Sequence, residues 1–288
     1  MAISRRLLLK TSVIGLAAAR LTPGLRLPDS LMARSSQVKI GVTDWNLKQE
    51  GKLEAVALAK KIGFAGVEVS IGVGAERLPL SDKALQQQYV HEGESHKLPI
   101  ASTCLNVLHK NVLKSDPLAQ RWVADSIPIT KNVGARVILL PFFGKGSLKT
   151  QQEMDYVADY LKEVAPEAER AQVVLGIENT ISAEDNARIL DRAKSRAVLI
   201  YYDIGNSTNG GFDILKEIRW LGKERICQFH IKDNPYLLGK GRINIPAVVN
   251  AIVEIGYSGW AHLETHCPSG SVEADMSANL HYVRGLLS

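Results

Sequence analysis

The chain has only three cysteines in 288 residues. That number is odd and too small for a disulfide-held scaffold. The apolar stretch near its N-terminus, residues 11–19, falls short of the roughly 20 residues that cross a bilayer. The first predicted strand is followed by Thr43-Asp44-Trp45-Asn46-Leu47. This is not the glycine-rich turn that an open, doubly wound dinucleotide-binding sheet requires. Most of the chain also lacks any surplus of charge. The formal charge is +5 and the pI is near 9.0, values that suggest nucleic acid or an anionic surface as a partner. Yet Arg5, Arg6, Lys10, Arg20, Arg26 and Arg34 face a single acid, Asp29, within residues 1–36. The rest of the chain holds 29 bases and 29 acids. With that balance the electrostatic reason for nucleic-acid affinity disappears. What remains, 45% hydrophobic and 23% charged, is the composition of a globular protein.

The basic segment has the order of an export signal. Ser4-Arg5-Arg6-Leu7-Leu8-Leu9-Lys10 resembles the twin-arginine motif, with Leu at the usual Phe position. Thr11–Ala19 supplies the apolar region, and Ala17-Ala18-Ala19 the small residues that a peptidase needs. Residues 20–36, with Pro23, Gly24, Pro28 and several serines, read as a linker. No cysteine lies within residues 20–36, directly after the apolar region, so a lipoprotein anchor is not expected. The alternative is an amphipathic N-terminal helix of the mature protein. The division predicted is an export signal and linker over 1–36 and a catalytic domain over 37–288. An extracytoplasmic, periplasmic location follows from it.

From Val38 onward, short β-branched runs alternate with segments of helical period. Strands are predicted at Val38–Thr43, Gly66–Val69, Ile100–Leu105, Arg136–Leu140, Val173–Glu178, Val198–Asp203, Ile226–Ile231 and Trp260–Thr265. The mean repeat is about 32 residues, one strand–helix unit. Eight such units in about 250 residues predict an α/β fold, a single closed (β/α)8 barrel of the TIM type.

Catalytic groups of such a barrel stand at the C-terminal ends of its strands. A buried parallel strand should be almost wholly apolar, so polar residues at its exit point to a site. The last four predicted strands each supply one: Glu178, Asp203, His230 and Glu264, spaced by 25, 27 and 34 residues. Three carboxylates crowded together repel unless a cation lies among them. With one imidazole and no thiolate, they suit one divalent ion: Mn²⁺ first, with Mg²⁺, Co²⁺ or Zn²⁺ as alternatives.

These residues lie in longer motifs. Glu178-Asn179, Asp203-Ile204-Gly205-Asn206, His230-Ile231-Lys232-Asp233, Gly239-Lys240-Gly241-Arg242-Ile243 and Gly256-Tyr257-Ser258-Gly259-Trp260 with Glu264 resemble the xylose isomerase-like superfamily, in its sugar phosphate isomerase/epimerase branch. The resemblance runs from about Val38 onward. It implies that Glu178, Asp203, His230 and Glu264 are metal ligands and that Glu178 and Glu264 are the catalytic acid/base pair. One glutamate takes a proton alpha to a carbonyl and the other returns it, through a metal-stabilised enediolate. Two positions depart from the epimerase pattern: Asn206 and Gln228 stand where a histidine is often found.

Further candidates for contact with a carbohydrate are Glu68, Asn106, Asn206, Lys232, Arg242 and His266. Trp45 and Phe142-Phe143 could wall one face of a sugar, and His262 reads as a packed histidine. The leading expectation is a metal-dependent sugar isomerase or epimerase. A lyase that eliminates from a keto-sugar or 3-keto-glycoside uses the same groups, and export would favour glycosides as substrates. An apurinic/apyrimidinic endonuclease and a non-catalytic sugar-binding barrel rank below these. Neither nucleic acid nor a stable membrane anchor is expected, and self-association stays open.

Overall fold

The computed structural model describes residues 38–74 and 76–288. The predicted export signal lies outside them. Eight strands form one closed barrel in sequence order: β1 Lys39–Thr43, β2 Val67–Ser70, β3 Ile100–Cys104, β4 Val137–Pro141, β5 Val174–Glu178, β6 Val198–Asp203, β7 Ile226–Ile231 and β8 Trp260–Leu263. Every neighbouring pair is parallel. β8 closes on β1, with Lys39 beside Trp260 and Val42 beside Leu263. Helices occupy the crossovers: α1 Glu54–Ile62, α2 Lys83–Ser95, α3 Pro117–Asn132, α4 Gln151–Ala171, α5 Ala183–Ala193, a short α6 Ile204–Asn209, α7 Ile214–Arg225 and α8 Ile245–Glu254. α9, Val272–Leu287, follows the last strand. Among the described residues, no helix is long and apolar enough to cross a membrane.

Two apolar regions divide the work. The larger lies between strands and helices, and it takes β-branched residues such as Val42, Val67, Val69 and Ile138 together with the inner faces of the helices. The smaller lies in the bore and includes Cys104, Val137, Leu139 and Tyr201. The bore is also polar. Glu68, Ser102, Gln228, His230 and His262 are all buried. Thr150 opens α4 with a capping box, accepting from the Glu153 amide while the Glu153 side chain accepts from the Thr150 amide.

All eight predicted strands are present, with ends that differ from the predicted runs by no more than two residues, and two of these differences bear on the site. β2 continues to Ser70, so Glu68 sits below the mouth and not at it. β8 stops at Leu263, although the Glu264 amide still donates to the Ile231 carbonyl at 3.1 Å. Glu264 is therefore held by the sheet while its side chain is free of the ladder. The sequence pattern also missed α6. Asp203 ends β6, and its Oδ1 accepts from the amides of Gly205 and Asn206, which turns the chain at once into a helix.

Candidate functional site

The four predicted ligands converge. Glu178 and Asp203 are the last residues of β5 and β6, His230 is the penultimate residue of β7, and Glu264 follows β8. One ligand atom from each lies within 4.8 Å of the others. His230 Nδ1 is 3.1 Å from Glu178 Oε1, 3.5 Å from Glu264 Oε2 and 3.8 Å from Asp203 Oδ2. Glu178, Asp203 and His230 are buried, while Glu264 is partly open to the mouth.

Charge in this group is tightly interdependent. Burial pushes the Asp203 carboxyl up, and Glu264 and Glu178 add to the effect against the opposing pull of Lys232. Burial works against a charged imidazole at His230, but Glu264 and Glu178 outweigh it and hold the ring well above the ordinary histidine range. Glu264 is held down at about 2: its burial is outweighed by His230 and Lys232. Lys232 Nζ lies 2.6 Å from Asp203 Oδ2 and 2.5 Å from Glu264 Oε2. Both contacts are ion pairs within the cluster. Three carboxylates and a ring nitrogen whose ligand atoms lie within 4.8 Å of one another are the donor set of a hard or borderline divalent cation. The residues fit such an ion. Lys232 reaches the group because its stem lies across Gly205, where a Cβ would come within 2.5 Å of Lys232 Cγ.

A cavity of about 400 Å³ opens above the cluster. Glu178, Glu264, Asn106, Asn206 and Lys232 all line it. Asn206 Nδ2 donates to Glu178 Oε1 at 3.2 Å. Asn106 Nδ2 donates to Glu50 Oε1 at 2.7 Å. Arg242 and His266 line a separate recess of about 160 Å³, which shares Asn206 and Lys232 with the main cavity. Both are exposed, and the Arg242 guanidinium donates to Asn209 Oδ1. Glu68, also expected at the substrate, lies apart from both recesses. It is fully buried in the bore and lines neither recess, because β2 carries two residues beyond it. A larger cavity of about 460 Å³ lies on the flank, between α2 and α3, away from the strand ends.

Some contributors were not foreseen. Trp45 was expected as an apolar wall, yet its Nε1 also donates to Glu264 Oε1 at 3.1 Å. Glu50 enters the cavity from the loop after β1, and no sequence pattern marks it. Tyr201 sits in the bore two residues before Asp203, and the shared strand parity is the signal that could have found it. His109 and Phe143 stack at 6.1 Å and both line the cavity. His262 is buried and hydrogen-bonded to Tyr201, as its position predicted.

A closed parallel barrel with its polar cluster at the strand C-termini has the general form of a TIM-barrel enzyme. The family model described as "Xylose isomerase-like TIM barrel" matches residues 56–286, and the chain belongs to that family. It is 28% identical over 253 residues to L-ribulose-5-phosphate 3-epimerase UlaE of Escherichia coli (strain SMS-3-5 / SECEC), which covers 78% of this chain and 86% of that protein. Among solved structures, D-psicose 3-epimerase from Clostridium cellulolyticum H10, with D-tagatose, superposes with a TM-score of 0.74 at 17% identity, covering 87% of this chain and 99% of that one. The 3-keto-D-glucoside 4-epimerase YcjR from E. coli gives 0.70 at 16% identity, covering 86% and 99%. At such identities the two structures establish the shared fold.

Proposed function

We propose that this protein is a divalent-metal-dependent sugar isomerase or epimerase that moves a proton at the carbon alpha to a carbonyl. The observation that carries this reading is the arrangement of Glu178 and Glu264. They approach one cavity from β5 and β8 while sharing His230 between them. The epimerase relative and the family membership support it.

The chain's own residues divide the task. Glu264 is kept ionised by His230 and Lys232, so it is suited to take the proton. Glu178, steadied by Asn206, stands on a different strand and is suited to return it to the other face. Lys232 offers a fixed positive charge to an oxygen that gains negative charge. Asn106 and Glu50 can bind hydroxyls deeper in the cavity. Glu178, Asp203, His230 and Glu264 would hold the cation, which supplies further positive charge at the carbonyl oxygen; Mn²⁺ is the ion we favour.

Incubating a panel of ketoses, their phosphates and 3-keto-glycosides with the Mn²⁺-loaded protein in D₂O tests the reading. Solvent deuterium is expected at one carbon of an epimeric or isomeric product. Glu178→Gln or Glu264→Gln should each lower turnover by about 10²–10⁴-fold, the usual worth of acid/base catalysis. Absence of exchange across the panel would overturn the proposal. Release of an aglycone from a keto-glycoside would favour the lyase chemistry instead. Residues 1–36 are proposed to direct the chain through the twin-arginine route. Arg5→Lys/Arg6→Lys should then leave the protein in the cytoplasmic fraction, and unchanged export would refute that route.

A further inference from the structure

A hydrogen-bonded string of His262, Tyr201 and Glu68 runs beneath the four converging groups and reaches His230; these three take no part in the chemistry above. His262 Nδ1 is 2.8 Å from the Tyr201 hydroxyl. Tyr201 donates to Glu68 Oε2 at 2.9 Å, and the same oxygen is 2.9 Å from His230 Nε2. The four residues belong to β8, β6, β2 and β7. β2 and β6 stand on opposite sides of an eight-stranded barrel, so their side chains meet only through the bore. All four are essentially inaccessible to solvent.

We propose that Glu68 is a positioning residue for His230, its Oε2 accepting the Nε2 proton and thereby presenting Nδ1 to Glu178, Asp203 and Glu264. The inference rests on the reading of those residues as a metal site. Without an ion the surrounding carboxylates hold the ring protonated; an ion bound among them displaces one proton, and the hydrogen bond made by one nitrogen then decides what the other can offer. Glu68 as a carboxylate only accepts, so the proton belongs on Nε2. Nδ1 then keeps its lone pair on the side of the three carboxylates. Such outer partners of metal-binding histidines typically set ring orientation and ligand basicity.

The rest of the string holds Glu68 in place. The phenol gives its single proton to Glu68, so His262 Nδ1 must donate to the Tyr201 oxygen. The His262 ring fits because its neighbour on β1 is Gly41, where a Cβ would fall 2.4 Å from His262 Cδ2. Glu68, His230 and His262 also lie close enough together for a second ion. The Tyr201 hydroxyl already links Glu68 to His262, which favours the hydrogen-bonded string.

The full chain, stripped of metal with a chelator, is titrated with Mn²⁺ by calorimetry as wild type, Glu68→Gln, Glu68→Leu, Tyr201→Phe and Asp203→Asn. The Zn²⁺-loaded form, labelled with ¹⁵N-histidine, reports by NMR which His230 nitrogen carries the proton. Glu68→Leu is expected to weaken Mn²⁺ binding by about 10–100-fold and to lose the Nε2–H form. Glu68→Gln keeps an acceptor and should stay within about 3-fold of wild type. Should Glu68→Leu fail to fold, Tyr201→Phe still releases Glu68 and is expected to weaken binding by about 3–10-fold. Wild-type affinity with an unchanged His230 signal in folded Glu68→Leu or in Tyr201→Phe overturns the inference. So does a second equivalent of Mn²⁺ that disappears with Glu68. Wild type that binds no Mn²⁺, or Asp203→Asn that binds it like wild type, overturns the metal-site reading itself. Loss of binding in Asp203→Asn beside full binding in Glu68→Leu removes only the role of Glu68.

Discussion

Asp44 shows how far a single side chain can shape the mouth from beneath. It is fully buried; its Oδ2 accepts from the amides of Gly51 and Ser70, and its Oδ1 from the Ser70 hydroxyl. It thus ties the loop after β1, which carries Trp45 and Glu50 to the cavity, to the end of β2. Burial lifts its carboxyl to about 7, against the pull of those hydrogen bonds. The unfolded chain releases this proton near pH 4, while the folded chain keeps it to about 7. Stability from this residue is therefore full below pH 4 and declines as pH rises to 7. Asp44→Asn, which can keep both amide contacts, should flatten the fall in Tm between pH 4 and 7. Equal slopes for variant and wild type would contradict the assignment. At this scale the sequence revealed the four clustered groups because each breaks an apolar strand. It concealed the Trp45–Glu264 bond, whose partners are 219 positions apart and meet only through barrel closure. It also did not reveal the depth of Glu68, since two residues of strand length decide between mouth and bore.

Among the elements, α6 has consequences out of proportion to its six residues. Its start at Ile204 makes Asp203 both a cap and a member of the cluster, and it brings Gly205 under the Lys232 stem. Gly205→Ala should leave the helix intact, since alanine favours helices, but must push Lys232 aside. A loss of about 10–100-fold in kcat/KM is expected, of the size that a misplacement near 1 Å can cause, with far-UV circular dichroism unchanged. Full activity in the variant would show that Lys232 does not need its present path. The strands were legible because both faces are covered and the runs are short, apolar and evenly spaced. α6 was not legible, because a six-residue helix has too few turns to show a period. What marks it is the Asp203 cap, and that residue was already claimed by the site.

For the molecule as a whole, a cation that binds only the folded barrel must stabilise it by mass action. Mn²⁺ at 100 times its dissociation constant is worth about 2.7 kcal/mol. Thermal unfolding should therefore move to higher temperature with Mn²⁺, return with chelator, and stay put in Asp203→Asn. A wild-type Tm indifferent to Mn²⁺ would contradict a native-state site. The barrel closure described above also sets an order of events. All four converging groups come from β5 and later, and the last of them follows the strand that seals against β1. During synthesis the proposed set of four ligands is complete only once β8 has emerged and found β1. Full coordination of the metal would then be a property of the closed barrel and not of the growing chain.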